Sequence, residues 1–326
     1  MSSTSIARGP SGLSRTTPLK TRKEKTLWNR VYASRRLLLM ILPGLLLIII
    51  FNYGPMYGMA MAFEDFQVTK GIWNSPWVGF KHFREFFANG MAINALKNTL
   101  LISGLKVAFG FPAPILLALL FNEVRDGLFK RFSQTVSYMP HFVSWIVFAA
   151  LVTGMLSPST GAVNWILQAL HIKPIYFMAN PQWFRVVIIA TDIWKEIGWG
   201  AIIYLAALTD VDPTLYEAAI VDGASRVQRM IHISIPLILP IAALMLILRV
   251  GGIMSAGFDQ IFNMYNPQVY QSSDIIDTYV YRVGLPGMQY SFAAAVGFFK
   301  SLVGLVLVLV VNEVARRMSD RYYALW

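Results

Sequence analysis

The sequence predicts an all-α membrane protein with six transmembrane helices. Of its 326 residues, 56% are hydrophobic and only 14% are charged, whereas about a quarter of a soluble chain is charged. Each of six apolar stretches is close to the ~20 residues that a helix needs to cross the hydrocarbon core. These stretches are residues 37–59, 99–121, 136–155, 186–208, 237–258 and 292–311. The chain has no cysteine, so disulfides and thiolate metal sites are excluded.

The predicted membrane domain, residues 37–316, lies between two polar tails. Residues 1–36 are rich in Ser, Thr, Lys and Arg, and we predict a disordered cytoplasmic tail. A signal peptide is the competing interpretation, because a basic region precedes an apolar one. The apolar run from residue 37 is too long for that and lacks a small-residue cleavage site, so we predict a retained anchor. Residues 317–326 are the predicted C-terminal cytoplasmic tail.

The distribution of basic residues predicts that both termini are cytoplasmic. Most of the 28 Lys and Arg residues lie in the N-terminal tail, between the second and third spans, after the fourth span and at the C-terminus. Basic residues concentrate in the cytoplasmic segments of membrane proteins. We therefore attribute the net charge of +11 to membrane topology and exclude nucleic-acid binding.

Three segments predicted on the outer side combine aromatic residues with a few charges: 72–88, 157–185 and 259–290. Such a composition is typical of amphipathic elements that lie at the membrane interface. The alternative interpretation is that the aromatic residues only anchor the spans at the headgroups.

A polar stretch late in the chain, residues 212–240, is predicted to form two short helices joined at a glycine. The first helix begins either with Asp212 as the N-cap or with a capping box of Thr214 and Glu217. Gly223 supplies the turn, because glycine reaches backbone angles that a Cβ forbids. Two prolines are expected to limit the second helix and open the next span: Pro236 and Pro240.

The same stretch contains Glu217-Ala218-Ala219, three residues, Gly223, nine residues, Ile233, one residue and Ile235-Pro236. This spacing resembles the EAA loop of permease subunits of bacterial binding-protein-dependent ABC importers, with isoleucine at 235 where leucine is usual. The resemblance implies that residues 209–236 dock into a cytoplasmic ATPase. It gives this coupling role to Glu217, Ala218, Ala219, Asp222, Gly223, Arg226, Arg229 and Pro236. An ordinary hairpin between two membrane helices is the alternative.

Four further stretches resemble maltose-type sugar permeases, mainly the subgroup that moves plant and algal polysaccharide fragments such as those of alginate. They are residues 79–83, 257–263, 277–282 and 322–326. The resemblance covers the chain from about residue 37 and implies a type I ABC importer permease fold in the bacterial inner membrane. The implied partners are a second permease subunit in a heterodimer, two ATPase subunits, a solute-binding protein and an oligosaccharide. It also implies that ATP and Mg bind to the ATPase subunits and that this chain holds no cofactor.

The sequence shows no catalytic constellation. It lacks a Gly-rich phosphate loop followed by Lys and Ser or Thr, and its four histidines lack the spacing of metal ligands. We therefore predict that the chain is not an enzyme and that energy comes from another subunit.

Charges inside the predicted spans are the candidates for function, because a charge at the bilayer centre costs roughly 2.5–3.5 kcal/mol on insertion scales. In the fourth span they share one helical face with a tryptophan: Asp192, Lys195, Glu196 and Trp199. Structural pairs are the alternative, either Asp192 with Lys195 or Glu196 with Arg249 of the fifth span. Lys106 in the second span is expected to snorkel toward a span end.

The resemblance also places sugar contacts on the two helices that flank the coupling loop. Counting without gaps from Glu217 and Pro236 gives the substrate path as Asp192, Lys195, Glu196, Trp199, Arg249, Ile253 and Ala256. Permeases for neutral sugars favour Asn, Ser, Gly and aromatic residues there, whereas this chain has Lys195 and Arg249. Because arginine matches a carboxylate bidentately, we hypothesise an anionic uronate oligosaccharide, with Trp199 stacking on a sugar ring.

Two other classes of membrane protein remain as alternatives. The first is a proton-coupled secondary transporter in which Asp192 and Glu196 are the titrating carboxylates, although no inverted repeat is evident. The second is a non-transporting scaffold, against which the charges inside the spans argue. Co-purification of an ATPase would separate the importer from both.

Overall fold

The computed structural model describes residues 35–318. The predictions for tail residues 1–34 and 319–326, including the motif at 322–326, lie outside the described residues. The described part of the chain is helical and contains no β-strand, and one isolated bridge pairs Glu64 with Trp77. The prediction of an all-α protein is confirmed for these residues.

The described residues form fifteen α-helices. They are α1 Arg35–Ile48, α2 Lys81–Ala88, α3 Gly90–Gly110, α4 Pro112–Glu123, α5 Leu128–Phe142, α6 Trp145–Met155, α7 Ala162–Ala169, α8 Pro181–Thr209, α9 Pro213–Val221, α10 Arg226–Arg229, α11 Ile235–Gly251, α12 Phe258–Met264, α13 Tyr270–Ser273, α14 Ile276–Gly284 and α15 Tyr290–Met318. Short 3-10 and π-helical turns join several of them.

Four helical stretches in the described chain are long and apolar enough to cross a membrane, or five if one bent pair counts as a single span. They are Arg35–Phe63, Gly90–Glu123, Arg226–Ser255 and Tyr290–Val314. The fourth predicted span lies inside α8, which has 29 residues. Its three charged residues keep it out of this apolar class, so the count of six spans stays a prediction.

The third predicted span, residues 136–155, is not one straight helix. It is divided between α5 and α6, which meet at an angle of 107°. Pro140 lies in the last turn of α5, Val143 has an extended backbone, and Ser144 caps α6 by accepting from the N–H of Val147 at 3.4 Å. Hydropathy does not reveal the bend, because the residues on both sides of it are apolar.

The described residues divide into two compact units, one ending at Tyr57 and the other beginning at Gly58. In the first, α1 continues into a π-helical turn, Ile49–Tyr53, and all described side chains are exposed. A helix that is apolar all round suits a lipid environment.

The second unit is built around α8, which packs against α3, α4, α5 and α11. One core cluster includes Phe148, Phe184 and Ile188, and a second forms where Ala201 and Tyr204 of α8 meet α4 and α11. A third cluster, away from α8, joins α2, α14 and α15.

Glycine on α8 allows one very close helix contact. A Cβ at Gly198 would lie 2.0 Å from the carbonyl oxygen of Ser137 on α5. This distance is far below van der Waals contact, so only glycine permits the approach. The contact fixes α5 against the face of α8 that carries the predicted path residues.

Candidate substrate path and coupling segment

The predicted coupling segment, residues 212–236, begins with the predicted cap. Asp212 accepts a hydrogen bond from the N–H of Thr214 at 2.9 Å, and Pro213 occupies the first position of α9. This confirms Asp212 as the N-cap, whereas the alternative box of Thr214 and Glu217 is not what caps α9. The backbone N–H of Thr214 also lowers the pKa of the Asp212 carboxyl below its usual value, because the bond favours the ionised form.

The predicted turn is present at Gly223, whose φ is +79°. The short helix α10 that follows begins with a capping box that the sequence interpretation missed. Ser225 accepts from the N–H of Gln228 at 3.3 Å, and the Gln228 side chain accepts from the N–H of Ser225 at 2.8 Å. The spacing of a serine and a glutamine three residues later was the available signal.

A π-helical turn, Met230–Ser234, leads into α11. Pro236 lies in the first turn of α11, but the helical stretch is continuous from Arg226 to Ser255, so Pro236 does not end the second short helix as predicted. Pro240 lies inside α11 instead of at its beginning, which corrects the expectation for this residue. The hydroxyl groups of Tyr216 and Ser234 are 2.9 Å apart and hold α9 against this turn.

The predicted coupling residues are largely at the surface. Helix α9 has no buried residue, and Glu217, Ala218, Asp222, Gly223, Arg226 and Pro236 are exposed, with Ala219 and Arg229 partly exposed. Large apolar side chains are exposed on the same helix, including Ile220 at 55% and Val221 at 87%. Such an apolar surface on a short polar-flanked helix is typical of a contact site for another protein.

Asp192 on α8 binds two cations from neighbouring helices. One carboxylate oxygen lies 3.0 Å from Nζ of Lys106 on α3, and the other lies 3.3 Å from Nη2 of Arg249 on α11. The predicted alternative pairs, Asp192 with Lys195 and Glu196 with Arg249, are therefore wrong. Lys106 is only 6% exposed and points into the helix bundle, so the expectation that it snorkels is also wrong.

Lys106 continues this network into the break after α11. Its ammonium donates to the carbonyl oxygen of Ala256 at 3.0 Å and to the side-chain oxygen of Gln260. Gln260 in turn donates to the backbone oxygen of Ile188 at 2.7 Å and to the hydroxyl of Thr191 at 2.8 Å. The network of Lys106, Asp192, Arg249 and Gln260 thus joins four helices, and we name it the charge cluster.

The break itself contains two predicted path residues. After α11, Ile253–Ser255 form a 3-10 turn, and then Ala256 and Gly257 have φ angles of +48° and +86°. Ala256 is buried and offers its carbonyl to the charge cluster. Ile253 is half-buried against the core cluster of α2, α14 and α15.

The other predicted path residues gather at the bend between α5 and α6. Nδ1 of His141 lies 2.9 Å from a carboxylate oxygen of Glu196. The rings of His141 and Trp199 are stacked, with centroids 4.5 Å apart and planes 2° from parallel. One face of Trp199 is therefore covered, while the side chain as a whole remains 43% exposed.

Lys195 lies at the centre of the same bend. Its ammonium donates to the backbone oxygens of Pro140, His141 and Val143 at 3.1, 2.6 and 2.7 Å. The three N–H donors of an ammonium are all used by these carbonyls, and the residue is 4% exposed. Lys195 therefore supplies hydrogen-bond donors to the backbone carbonyls at the bend.

Comparison with known proteins identifies the family. Residues 110–320 match the family described as the inner membrane component of binding-protein-dependent transport systems. The chain belongs to this permease family. Two curated proteins of Bacillus subtilis (strain 168) are each 44% identical to it. Protein LplB aligns over 87% of this chain and 89% of its own length, and the polygalacturonan/rhamnogalacturonan transport system permease protein YteP over 92% and 94%.

Two crystal structures agree with this assignment. One is a bacterial ABC transporter involved in the import of the acidic polysaccharide alginate, with a TM-score of 0.84 and 43% identity over 91% of the permease and 100% of that chain. The other is a bacterial alginate ABC transporter in complex with an alginate pentasaccharide-bound periplasmic protein, with the same TM-score and 42% identity over 91% and 99%. The permease therefore has the fold of type I ABC importers.

In this permease most of the predicted path residues form two groups instead of one continuous face. Asp192 and Arg249 belong to the charge cluster, with the carbonyl of Ala256 bonded to it, and Lys195, Glu196 and Trp199 surround the bend. Ile253 belongs to neither group, because it packs against the core cluster of α2, α14 and α15. Sequence reasoning missed His141 and Gln260, which complete these two groups. Gln260 lies inside the resembling stretch 257–263 and four positions after Ala256, so its place in that stretch was the available signal.

Proposed function

We propose that the permease forms one half of a transmembrane path for uronate oligosaccharides in the bacterial inner membrane. Its partners in this proposal are a second permease subunit, two ATPase subunits that bind ATP and Mg, and a solute-binding protein that delivers the sugar. The importer class follows from the family, and the uronate preference is supported by the likeness to alginate importers. The observation that carries the preference is the partly exposed guanidinium of Arg249 at the edge of the charge cluster.

The structure narrows the candidates for binding a carboxylate. Lys195 is occupied by three carbonyl oxygens and is buried, so it has no free N–H for a substrate. Arg249 uses Nη2 for Asp192 and for the backbone oxygen of Lys106, and its side chain is 31% exposed. A guanidinium has five N–H donors in a fork that matches a carboxylate. Arg249 is therefore the proposed substrate ligand, and Lys195 a structural residue.

The test of the uronate preference uses the complete complex in lipid. Its binding protein is loaded with uronate or with neutral oligosaccharides of equal length, and ATPase stimulation is compared. We expect stimulation mainly by uronates in the wild type and loss of that preference in Arg249→Gln. The matched control is Arg185→Gln, because Arg185 is also partly buried and bonded to Asn98 and Ser272 but lies outside the proposed path. Equal stimulation of the wild type by both sugars would refute the uronate preference.

The coupling role is proposed for the segment from Asp212 to Pro236. Its support is the exposed apolar surface of α9, together with the cap, turn and hydroxyl contact that define its shape. Gly223→Val should disrupt it, because a β-branched residue is strained at φ +79°. Gly223→Asn is the matched control, because asparagine tolerates this backbone region. We expect ATPase stimulation by loaded binding protein to collapse only in the valine variant, while membrane insertion survives in both.

The secondary-transporter alternative finds less support. It needs Asp192 and Glu196 to exchange protons during transport, but Asp192 lies between two cations and Glu196 contacts His141. If the permease purified under mild conditions without an associated ATPase, the result would favour the secondary transporter.

A further inference from the structure

We propose that Lys106 determines the substrate-charge preference of the permease by neutralising Asp192, so that the charge of Arg249 remains available to an anionic substrate. This inference rests on the proposed uronate path. Lys106 does not touch the substrate in this proposal, and it acts as a positioning residue for Arg249. Nothing in the family resemblance assigned it a role, and the sequence alone predicted that it would reach a span end.

The contacts of Lys106 are those of a charged ammonium. Nζ donates to a carboxylate oxygen of Asp192, to the carbonyl oxygen of Ala256 and to the side-chain oxygen of Gln260. An ammonium has three N–H donors and no acceptor, so these three acceptors satisfy it completely. Its side chain is only 8% exposed, and Lys106 therefore has no means of meeting a substrate itself.

The charge cluster carries two positive charges and one negative charge. Exposure is distributed unequally among them, because Lys106 and Asp192 are 8% and 13% exposed and Arg249 is 31% exposed. The contact of Asp192 with Lys106 is also the shorter of its two, at 3.0 Å against 3.3 Å. The surplus positive charge thus lies on the most exposed member of the cluster.

Removal of the Lys106 charge would change the net charge that the cluster presents to a substrate at Arg249. Asp192 would then have one cationic partner, and the pair would be neutral toward a substrate. A substrate carboxylate beside Arg249 would then share a single cation with Asp192, and the two negative charges would repel each other in surroundings where charges interact more strongly than in water. A neutral sugar would experience a much smaller change, because it brings no charge to the site.

The experiment measures the ratio of uronate-stimulated to neutral-sugar-stimulated ATPase activity in the complete complex. Lys106→Gln keeps a hydrogen-bond donor but removes the charge, and we expect the ratio to fall about tenfold. Combining it with Asp192→Asn restores one surplus positive charge, so the ratio should recover to near the wild-type value. Asp192→Asn alone should keep or raise the ratio, which tests the charge argument in a variant that retains Lys106.

The matched control is Lys300→Gln. Lys300 on α15 pairs with Asp277 on α14 at 2.6 Å, and no arginine shares that carboxylate in the described contacts. Its neutralisation should leave the ratio unchanged. Thermal unfolding of each complex separates a loss of preference from a loss of stability, since a purely structural role for Lys106 would lower the unfolding temperature without altering the ratio.

Each outcome decides between the proposals. A wild-type complex without uronate preference would overturn the uronate path and this inference together. A wild-type preference that is lost in Arg249→Gln but kept in Lys106→Gln would overturn only the role of Lys106. Failure of the double variant to recover the ratio would contradict the charge argument in the same way.

Discussion

The ammonium of Lys195 on α8 lies 2.7 Å from the carbonyl oxygen of Val143, at the point where α5 ends and α6 has not begun. Two more carbonyls at this bend, those of Pro140 and His141, bond to the same nitrogen. Lys195 has no carboxylate partner within residues 35–318, and it is stabilised by backbone dipoles and by the ring of Trp145, 5.3 Å from Nζ. The bend therefore supplies the acceptors for the Lys195 ammonium, and Lys195 supplies the donors for the carbonyls of the bend.

Lys195→Met should destabilise the permease without changing its substrate preference. The substitution removes the donor from three partly buried carbonyl oxygens. An unsatisfied buried polar group costs about 1–3 kcal/mol, so we expect a loss of roughly 3 kcal/mol in unfolding free energy for the three together. Thermal unfolding followed by tryptophan fluorescence measures the effect. The exposed Lys173 provides the control substitution, Lys173→Met. Loss of uronate preference at unchanged stability would show instead that Lys195 contacts the substrate.

Gly198→Ala should separate α5 from α8. The added Cβ would meet the backbone of Ser137, which cannot move without its helix, and such overpacking costs about 1–3 kcal/mol or more. Gly104→Ala in α3 is the control, because a Cβ there meets nothing within 4 Å and alanine favours helices. A lower melting temperature is expected for Gly198→Ala alone. Equal melting temperatures of the two variants would contradict the close contact.

The contribution of the Asp212 cap to the proposed coupling segment should depend on pH in a predictable direction. The Asp212 carboxyl has a pKa below its usual value of 3.8 in the folded protein. Its contribution to the stability of α9 is therefore fully present above pH 3.8 and is lost as the pH falls through the lower folded pKa. Asp212→Asn keeps a good cap without a titrating group. Circular dichroism during acid titration should show the difference, and identical titrations of variant and wild type would refute it.

An ion pair on the predicted outer side should contribute to stability. Nη2 of Arg282 lies 2.5 Å from a carboxylate oxygen of Asp274, and the guanidinium lies 4.5 Å from the ring of Tyr270. Asp274 is 7% exposed and Arg282 is one-third exposed. Arg282→Met would leave a buried carboxylate without its cation, which should cost roughly 2–3 kcal/mol, less than for a fully buried pair.

The control for that prediction is the double variant Arg282→Met with Asp274→Asn. It removes the unpaired charge and should recover part of the lost unfolding free energy. A double variant as unstable as the single one would mean that packing of the arginine on Tyr270, and not charge, accounts for the effect.

The sequence was sufficient where a structure depends on neighbouring residues. Asp212, Pro213 and Gly223 form the predicted cap and turn because each acts on the backbone within a few positions. The helical class and the family motif at Glu217 follow from composition and spacing. These features require no knowledge of which helices pack together.

The sequence was insufficient where partners come from distant segments. Asp192 has helical neighbours of opposite and like charge, yet its partners Lys106 and Arg249 lie 86 and 57 positions away on other helices. The bend at Val143 was also missed, because hydropathy averages over residues and does not register the direction of a helix axis. The Glu196 contact with His141 depends on that bend and could not be found without it.

The bend also has a consequence for the order of events during synthesis. Helices α5 and α6 have 15 and 11 residues, so at about 1.5 Å per residue neither reaches across a 30 Å hydrocarbon core alone. The donor for the carbonyls at their junction is Lys195, which is synthesised 52 residues after Val143. Before α8 is inserted, water or the insertion machinery must hydrogen-bond to the carbonyls between α5 and α6. Assembly of this permease is thus complete at α5 and α6 only after a later helix has entered the membrane.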